Sequence, residues 1–186
     1  QRKDIYGENR LYYAERVIVT TGGSSYPLTG STGDGYRMAE SVGHTVVSVR
    51  PALVPLKSSG VPKGTLTDLN LKNVKAAVFI DNKKKGEEFG EVVFTDTGLS
   101  GPIILTISGM VVDAIDSGKS VTVSLDLKPA LDEKKLDQRL LRDIDKKGNV
   151  DFRTLLNGLL PMQMIPFCIK QVKIDPDKKI NQLSSK

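Results

Sequence analysis

Apolar and polar positions follow several distinct rhythms along this chain, and each change of rhythm marks an element. In "RVIVTTGG" a β-branched apolar run from Val17 to Val19 meets two glycines, as a buried parallel strand does when it reaches its turn. "LYYAE" just before it reads as an edge strand. Beyond the turn, Met38, Ala39 and Val42 share one helical face. A short helix is therefore expected over 35–42, with Asp34 as its N-cap and Gly43 as its terminator. "TVVSVRPALVPL" reads as extended chain interrupted by Pro51 and Pro55.

From about Leu56 the segments lengthen. "LKNVKAAVFIDNKKKGEEFGEVVFTDTG" predicts two long strands joined through "DNKKKGE", a β-hairpin. "GPIILTISGMVVDAIDSG" predicts a helix that is apolar on most sides and hence deeply packed, starting at Gly101-Pro102 and ending at Gly118. "SVTVSLDL" alternates with period two, the mark of a half-buried strand. Two or three helices follow, over 132–147, 151–159 and 162–172, with Pro166 placed to break or restart the last. The polar "DPDKKINQLSSK" is expected to fray. No internal repeat is visible.

Composition narrows the class. Hydrophobic residues make up 39% and charged residues 26% of the 186, a globular balance. The apolar, charge-free runs 17–33, 97–112 and 154–169 are too short or too broken to cross a bilayer, and no signal peptide is evident. A membrane partner is not expected. The single cysteine, Cys168, excludes an intramolecular disulfide and suits a reducing cytoplasm, and its apolar setting in "MIPFCIKQV" predicts a packed core thiol. Net charge is +5, and it is unevenly placed. Residues 1–127 hold 14 Lys/Arg against 14 Asp/Glu, whereas residues 128–186 hold 13 against 8. Nucleic-acid binding would call for aromatic platforms among those cations, yet only Phe152 and Phe167 follow Pro129. "DEKKLDQRLLRDIDKK" mixes both signs, as a solvated helix face does, and no nucleic-acid partner is expected.

The chemistry with most to test lies in "TTGGSSYPLTGSTGDGYRMAESVGH", which carries five glycines between Gly22 and Gly35. A Walker loop fails there, because Tyr36 follows Gly35 where a lysine must reach the phosphates. A dinucleotide fingerprint starting at Gly33 and Gly35 fails at Met38, where the third glycine belongs. What remains is a turn of few side chains before a helix start, able to bring backbone N–H groups near an anion or the carbonyl edge of a ring. Other candidates have simpler explanations. Asp34 is a cap, Ser100 has no neighbouring His and sits before a helix start, His44 follows a helix C-terminus, and Asp96 is a turn residue before Gly98. One His and one Cys make no zinc site, and no carboxylate spacing fits calcium, so no metal is expected.

Two longer motifs carry a resemblance. "VIVTTGG" resembles the second FAD-contacting strand of two-dinucleotide-fold flavoproteins, with Thr20 where alanine is usual. "TGSTGDGYRMAESVGH" is similar to the Thr-Gly-Asp-Gly helix start of fumarate-reductase-like proteins. Together, "GGSSYPLTGSTGDGYRMAESVGHTVVSVRPALVPL" and "GEVVFTDTGLSGPIIL" resemble the bacterial NAD(FAD)-utilising dehydrogenase family, which takes in aminoacetone-oxidase-like and BaiN-like flavoproteins.

The resemblance implies an α+β chain: residues 1–55 as the end of an FAD-binding domain, and residues 56–186 as an inserted domain of antiparallel, barrel-like sheet and helices. Within the insert, 56–128 would be mainly β with one buried helix and 129–186 mainly helical. The chain opens on Gln1 and is expected to be the central piece of a longer FAD-dependent oxidoreductase that passes a hydride between flavin and a small substrate or NAD(P)H. Thr21, Gly22, Gly23, Gly30, Ser31, Thr32, Gly33, Asp34 and Gly35 would lie on the FAD side, and 94–102 would face the active-site cleft. Relatives often carry His where this chain has Asp96, so no neutral-pH acid or base is implied there, and no catalytic residue is assigned. A cytoplasmic location and a small-molecule partner follow from the same resemblance. The rival is a non-enzymatic cap or partner-binding module, inert in isolation.

Overall fold

The computed structural model describes residues 2–3, 9–10, 13–62 and 64–183, which separate into two compact units, Gln1–Val49 and Arg50–Lys186. In the first unit, β1 (Arg2–Lys3) and β2 (Asn9–Arg10) pair antiparallel. Leu11 and Tyr12 of the expected edge strand lie outside the described residues. The buried strand expected at Val17–Val19 is not formed: Val17 is 80% and Ile18 85% exposed, and the segment joins no ladder. A β-branched run becomes a strand only when a neighbour takes its backbone groups, and the described residues of this unit provide none.

A 3-10 turn at Pro27–Thr29 leads to α1 (Asp34–Ser41). The N-cap is Gly33, with φ of 80°, and Asp34 is the first helical residue rather than the expected cap. The left-handed entry explains the shift, since glycine adopts that φ without the Cβ penalty that aspartate would meet. Gly43, with φ of 90°, ends the helix as expected, and the His44 N–H donates to the Ala39 carbonyl at 3.0 Å.

The second unit is built on a five-stranded antiparallel half-barrel in the order β3-β6-β5-β4-β7. The strands are β3 (Leu56–Lys57), β4 (Asn70–Ile80), β5 (Lys83–Thr95), β6 (Gly98–Ser100) and β7 (Val121–Asp126). The expected hairpin is β4–β5. Its turn is tighter than "DNKKKGE", needing only Asp81 and Asn82, whose φ of 49° and 63° match the handedness of a two-residue hairpin loop. The α2 helix (Pro102–Asp116) starts and ends where the glycines predict. It buries Ile103, Ile104, Ile107 and Val111 with Val74, Ala76, Val78, Val92 and Phe94 of the sheet. Its burial is one-sided, with Thr106, Met110 and Asp113 exposed, because a single sheet layer covers one face only. In β7 the side chains alternate between half-buried and exposed, as expected.

The helical part contains α3 (Glu133–Lys147), α4 (Phe152–Leu156) and α5 (Ile165–Val172). Asp132 caps α3, accepting the Lys135 N–H at 2.8 Å. A 3-10 turn at Met162–Met164 runs into α5, and Pro166 restarts the chain in the first turn, where its missing N–H costs nothing. Phe152, Leu155, Leu156, Ile165 and Ile180 form a second core. Consecutive residues serve the two cores, Met164 the sheet core and Ile165 the helical one.

The fraying expected from residue 175 onward does not occur through Leu183. Ile180 is fully buried in a 3-10 turn, its N–H donates to the Val150 carbonyl at 3.0 Å, and Lys179 pairs with Asp151 at 2.7 Å. One large apolar side chain in a polar segment outweighs the charges around it, which all remain at the surface.

Candidate functional site

The glycine-dense stretch folds as a turn packed on itself. The Gly33 N–H donates to the Gly23 carbonyl at 3.0 Å, tying the loop's end to its beginning. A Cβ at Gly22 would lie 2.8 Å from the Ser31 Oγ, and one at Gly35 would lie 2.7 Å from the Thr21 Oγ1. Thr21, Gly22, Gly23, Ser31, Gly33 and Gly35 are thus brought together. Gly30 and Thr32 stand apart on the exposed outer part of the turn, where Gly30, with φ of 90°, has open space around its Cβ position. Asp34 pairs with Arg37 one helical turn on, and Arg37 also donates to the Thr32 carbonyl at 3.1 Å. The helix start therefore carries its own carboxylate and a guanidinium.

In the second unit Asp96 sits in the β5–β6 turn, as expected, where its Oδ1 accepts the Thr67 hydroxyl at 2.8 Å. Ser100 pairs with Val93 across β5–β6. Gly101 is the N-cap of α2, so of the capping and N′ roles expected for Ser100 it takes the N′ position. Cys168 is half-buried against the sheet core, and burial pushes its thiol pKa up, away from the thiolate a nucleophile requires. The Lys84 ammonium, hydrogen-bonded to Glu87 at 2.6 Å, holds that carboxyl below its ordinary value. Among the described residues no group of His, Cys, Asp and Glu could hold a metal, and no helix is long and apolar enough to cross a membrane.

Sequence reasoning missed the contacts that fasten the segment entering this unit. The buried Ser108 of α2 donates to the Leu105 carbonyl at 2.7 Å and accepts the Val54 N–H at 3.2 Å, while Arg50 pairs with Asp113. A serine within an otherwise apolar helix face was the available signal.

Comparison with known proteins places this architecture. Residues 50–186 match the family model described as HI0933-like protein barrel and H2TH domain. The chain is 31% identical over 166 residues to a 3-dehydro-bile acid delta(4,6)-reductase of Clostridium scindens, covering 87% of this chain and 39% of that protein. It is 30% identical over 171 residues to a ribosomal RNA dihydrouridine synthase of Escherichia coli, covering 91% of this chain and 40% of that protein. The Haemophilus influenzae protein of the same name is 28% identical over 160 residues, covering 86% and 37%. The chain thus spans about two fifths of the length of the curated relatives it matches.

Proposed function

The chain belongs to the HI0933-like family, and from that membership we propose that the complete protein is an FAD-dependent reductase of carbon–carbon double bonds conjugated to a carbonyl. The observation that carries this is the chemistry shared by the relatives' names. A delta(4,6) bond system in a 3-dehydro steroid is conjugated to its ketone, and dihydrouridine is uridine with the ring double bond beside a carbonyl saturated. Each reaction adds one hydride and one proton across that bond. FAD, once reduced by NAD(P)H as the proposed donor, would supply the hydride.

The chain's own contribution is placement. Thr21 to Gly23 and Gly30 to Gly35 would hold the cofactor's side of the site. The Gly33 N–H to Gly23 carbonyl bond ties the two ends of the turn together, and Gly30 and Thr32 are exposed on its outer side. Asp96 is given no proton-transfer role, because one oxygen already anchors Thr67.

The test uses the complete protein. It should purify with bound flavin and, once reduced anaerobically, reoxidise on mixing with an α,β-unsaturated ketone or a uridine-containing RNA. Gly35→Val should lower flavin content by displacing the Thr21 hydroxyl, while the second unit still folds. A complete protein that never carries flavin would sink the proposal.

A further inference from the structure

The half-barrel has two edges, and they are built differently. The β3 edge is two residues long, follows Pro55 and carries Lys57, all common ways of closing an edge to further pairing. The β7 edge has none of these. Its six residues, "VTVSLD", include no Lys, Arg or Pro, and their register with β4 runs without a bulge from Ile80 with Val121 to Lys75 with Asp126.

The ladder fixes where the backbone of β7 points. The Asp81 N–H donates to the Ser120 carbonyl at 2.9 Å, so the backbone groups of Ser120 face the β4 side. Hydrogen-bonded and non-hydrogen-bonded pairs alternate along an antiparallel ladder, and the groups of Thr122, Ser124 and Asp126 therefore face β4 as well. Those of Val121, Val123 and Leu125 face outward, and no backbone group among the described residues beyond β4 and β7 bonds to them. Their side chains pack half-buried against the sheet core, while Thr122, Ser124 and Asp126 are exposed on the other face.

We propose that β7 pairs antiparallel with the β7 of a second copy of this chain, about a twofold axis at Val123. Outward-facing residues must meet outward-facing residues, and centring on Val123 is the register that uses all three. Val123 then lies opposite its own copy and Val121 opposite Leu125 on both sides of the axis, each pair exchanging both its N–H···O bonds. The same register matches the two faces. Val121, Val123 and Leu125 meet only apolar partners, whereas Thr122 meets Ser124 and Ser120 meets Asp126, pairs able to hydrogen-bond across the strands. The flanking Lys119 and Lys128 fall opposite Leu127 and Gly118, so no like charges meet. A one-residue shift would set Val123 against Ser124 and lose both matches. A strand that fits its own reversed copy meets the requirement of an isologous interface, which an unrelated strand would not impose.

The complete protein can be followed by sedimentation velocity over a concentration series. One paired strand buries less than the roughly 1,200 Å² of standard interfaces, so a concentration-dependent monomer–dimer equilibrium is expected. Val123→Pro removes the N–H donors at the axis without taking a bond from β4, and should weaken dimerisation about tenfold. Thr122→Lys with Ser124→Lys sets like charges opposite each other and should weaken it as well. Thr122→Lys with Ser124→Glu sets opposite charges there and should restore the dimer. Both double variants alter exposed side chains only, so they keep the test open if the proline variant fails to fold. A complete protein that stays monomeric at every concentration overturns the proposal. So does a dimer that the two-lysine change leaves unweakened, or one that the lysine–glutamate change fails to restore.

Discussion

Gly98 lies against the backbone of Leu56 with no room for a side chain between them. In the β3–β6 pair a Cβ on Gly98 would run into the Leu56 carbonyl oxygen and sit 2.8 Å from the Lys57 Cα. Both obstacles are backbone, so neither can rotate away. Gly98→Ala should cost more than about 3 kcal/mol, beyond the ordinary range for overpacking. Gly60→Ala, whose nearest neighbour would be the Ser58 Oγ at 3.6 Å, should stay within about 0.5 kcal/mol. Urea unfolding of both variants decides this; similar small losses would show that the β3 edge yields.

Ser108 satisfies a backbone donor from outside its own helix. Ser108→Ala would leave the Val54 N–H without its partner, an expected cost of about 1–3 kcal/mol. Amide exchange should quicken at Val54 and leave β4 and β5 protected. Unchanged exchange at Val54 would mean that the hydroxyl does not hold this segment.

Ile180 is the tail's anchor in the second core. Ile180→Ala should cost about 2–5 kcal/mol. Thermal unfolding should show the loss, and proteolysis should then cut near residue 175 before it cuts the sheet. Resistance equal to that of the unaltered chain would contradict the anchoring.

Cys168 gives a pH-dependent readout. Burial raises its pKa in the folded chain, so the stability from keeping the thiol neutral is present below the ordinary thiol pKa and is lost as pH rises through the raised value. Iodoacetamide should modify Cys168 more slowly in the folded chain than in urea at the same mildly alkaline pH. Equal rates would show that the thiol is not packed.

The second unit was the more legible of the two because its signals are local. The hairpin, the glycine-bounded α2, the alternation of β7 and the Asp132 cap each depend on spacing within one element. What was not legible depends on distant partners. Val17 to Val19 has the composition of a strand but pairs with none of the described residues, and Ile180 looks like an isolated apolar residue until Phe152 and Ile165 surround it. At the glycine loop the local geometry was not legible. Asp34 at the helix start reads as a cap, whereas the left-handed Gly33 takes that position and frees Asp34 to pair with Arg37.

The clasp between Asp151 and Lys179 has a consequence for how the chain is made. Synthesis runs from the N-terminus, so α3, α4 and α5 all emerge before the residue that seals their core. The sheet and α2, by contrast, are complete by Asp126 and can bury most of their apolar faces against each other early. A ribosome stalled between these points would hold a finished half-barrel beside three unsealed helices. Their exposed Phe152 and Leu155 would then be a natural target for chaperones.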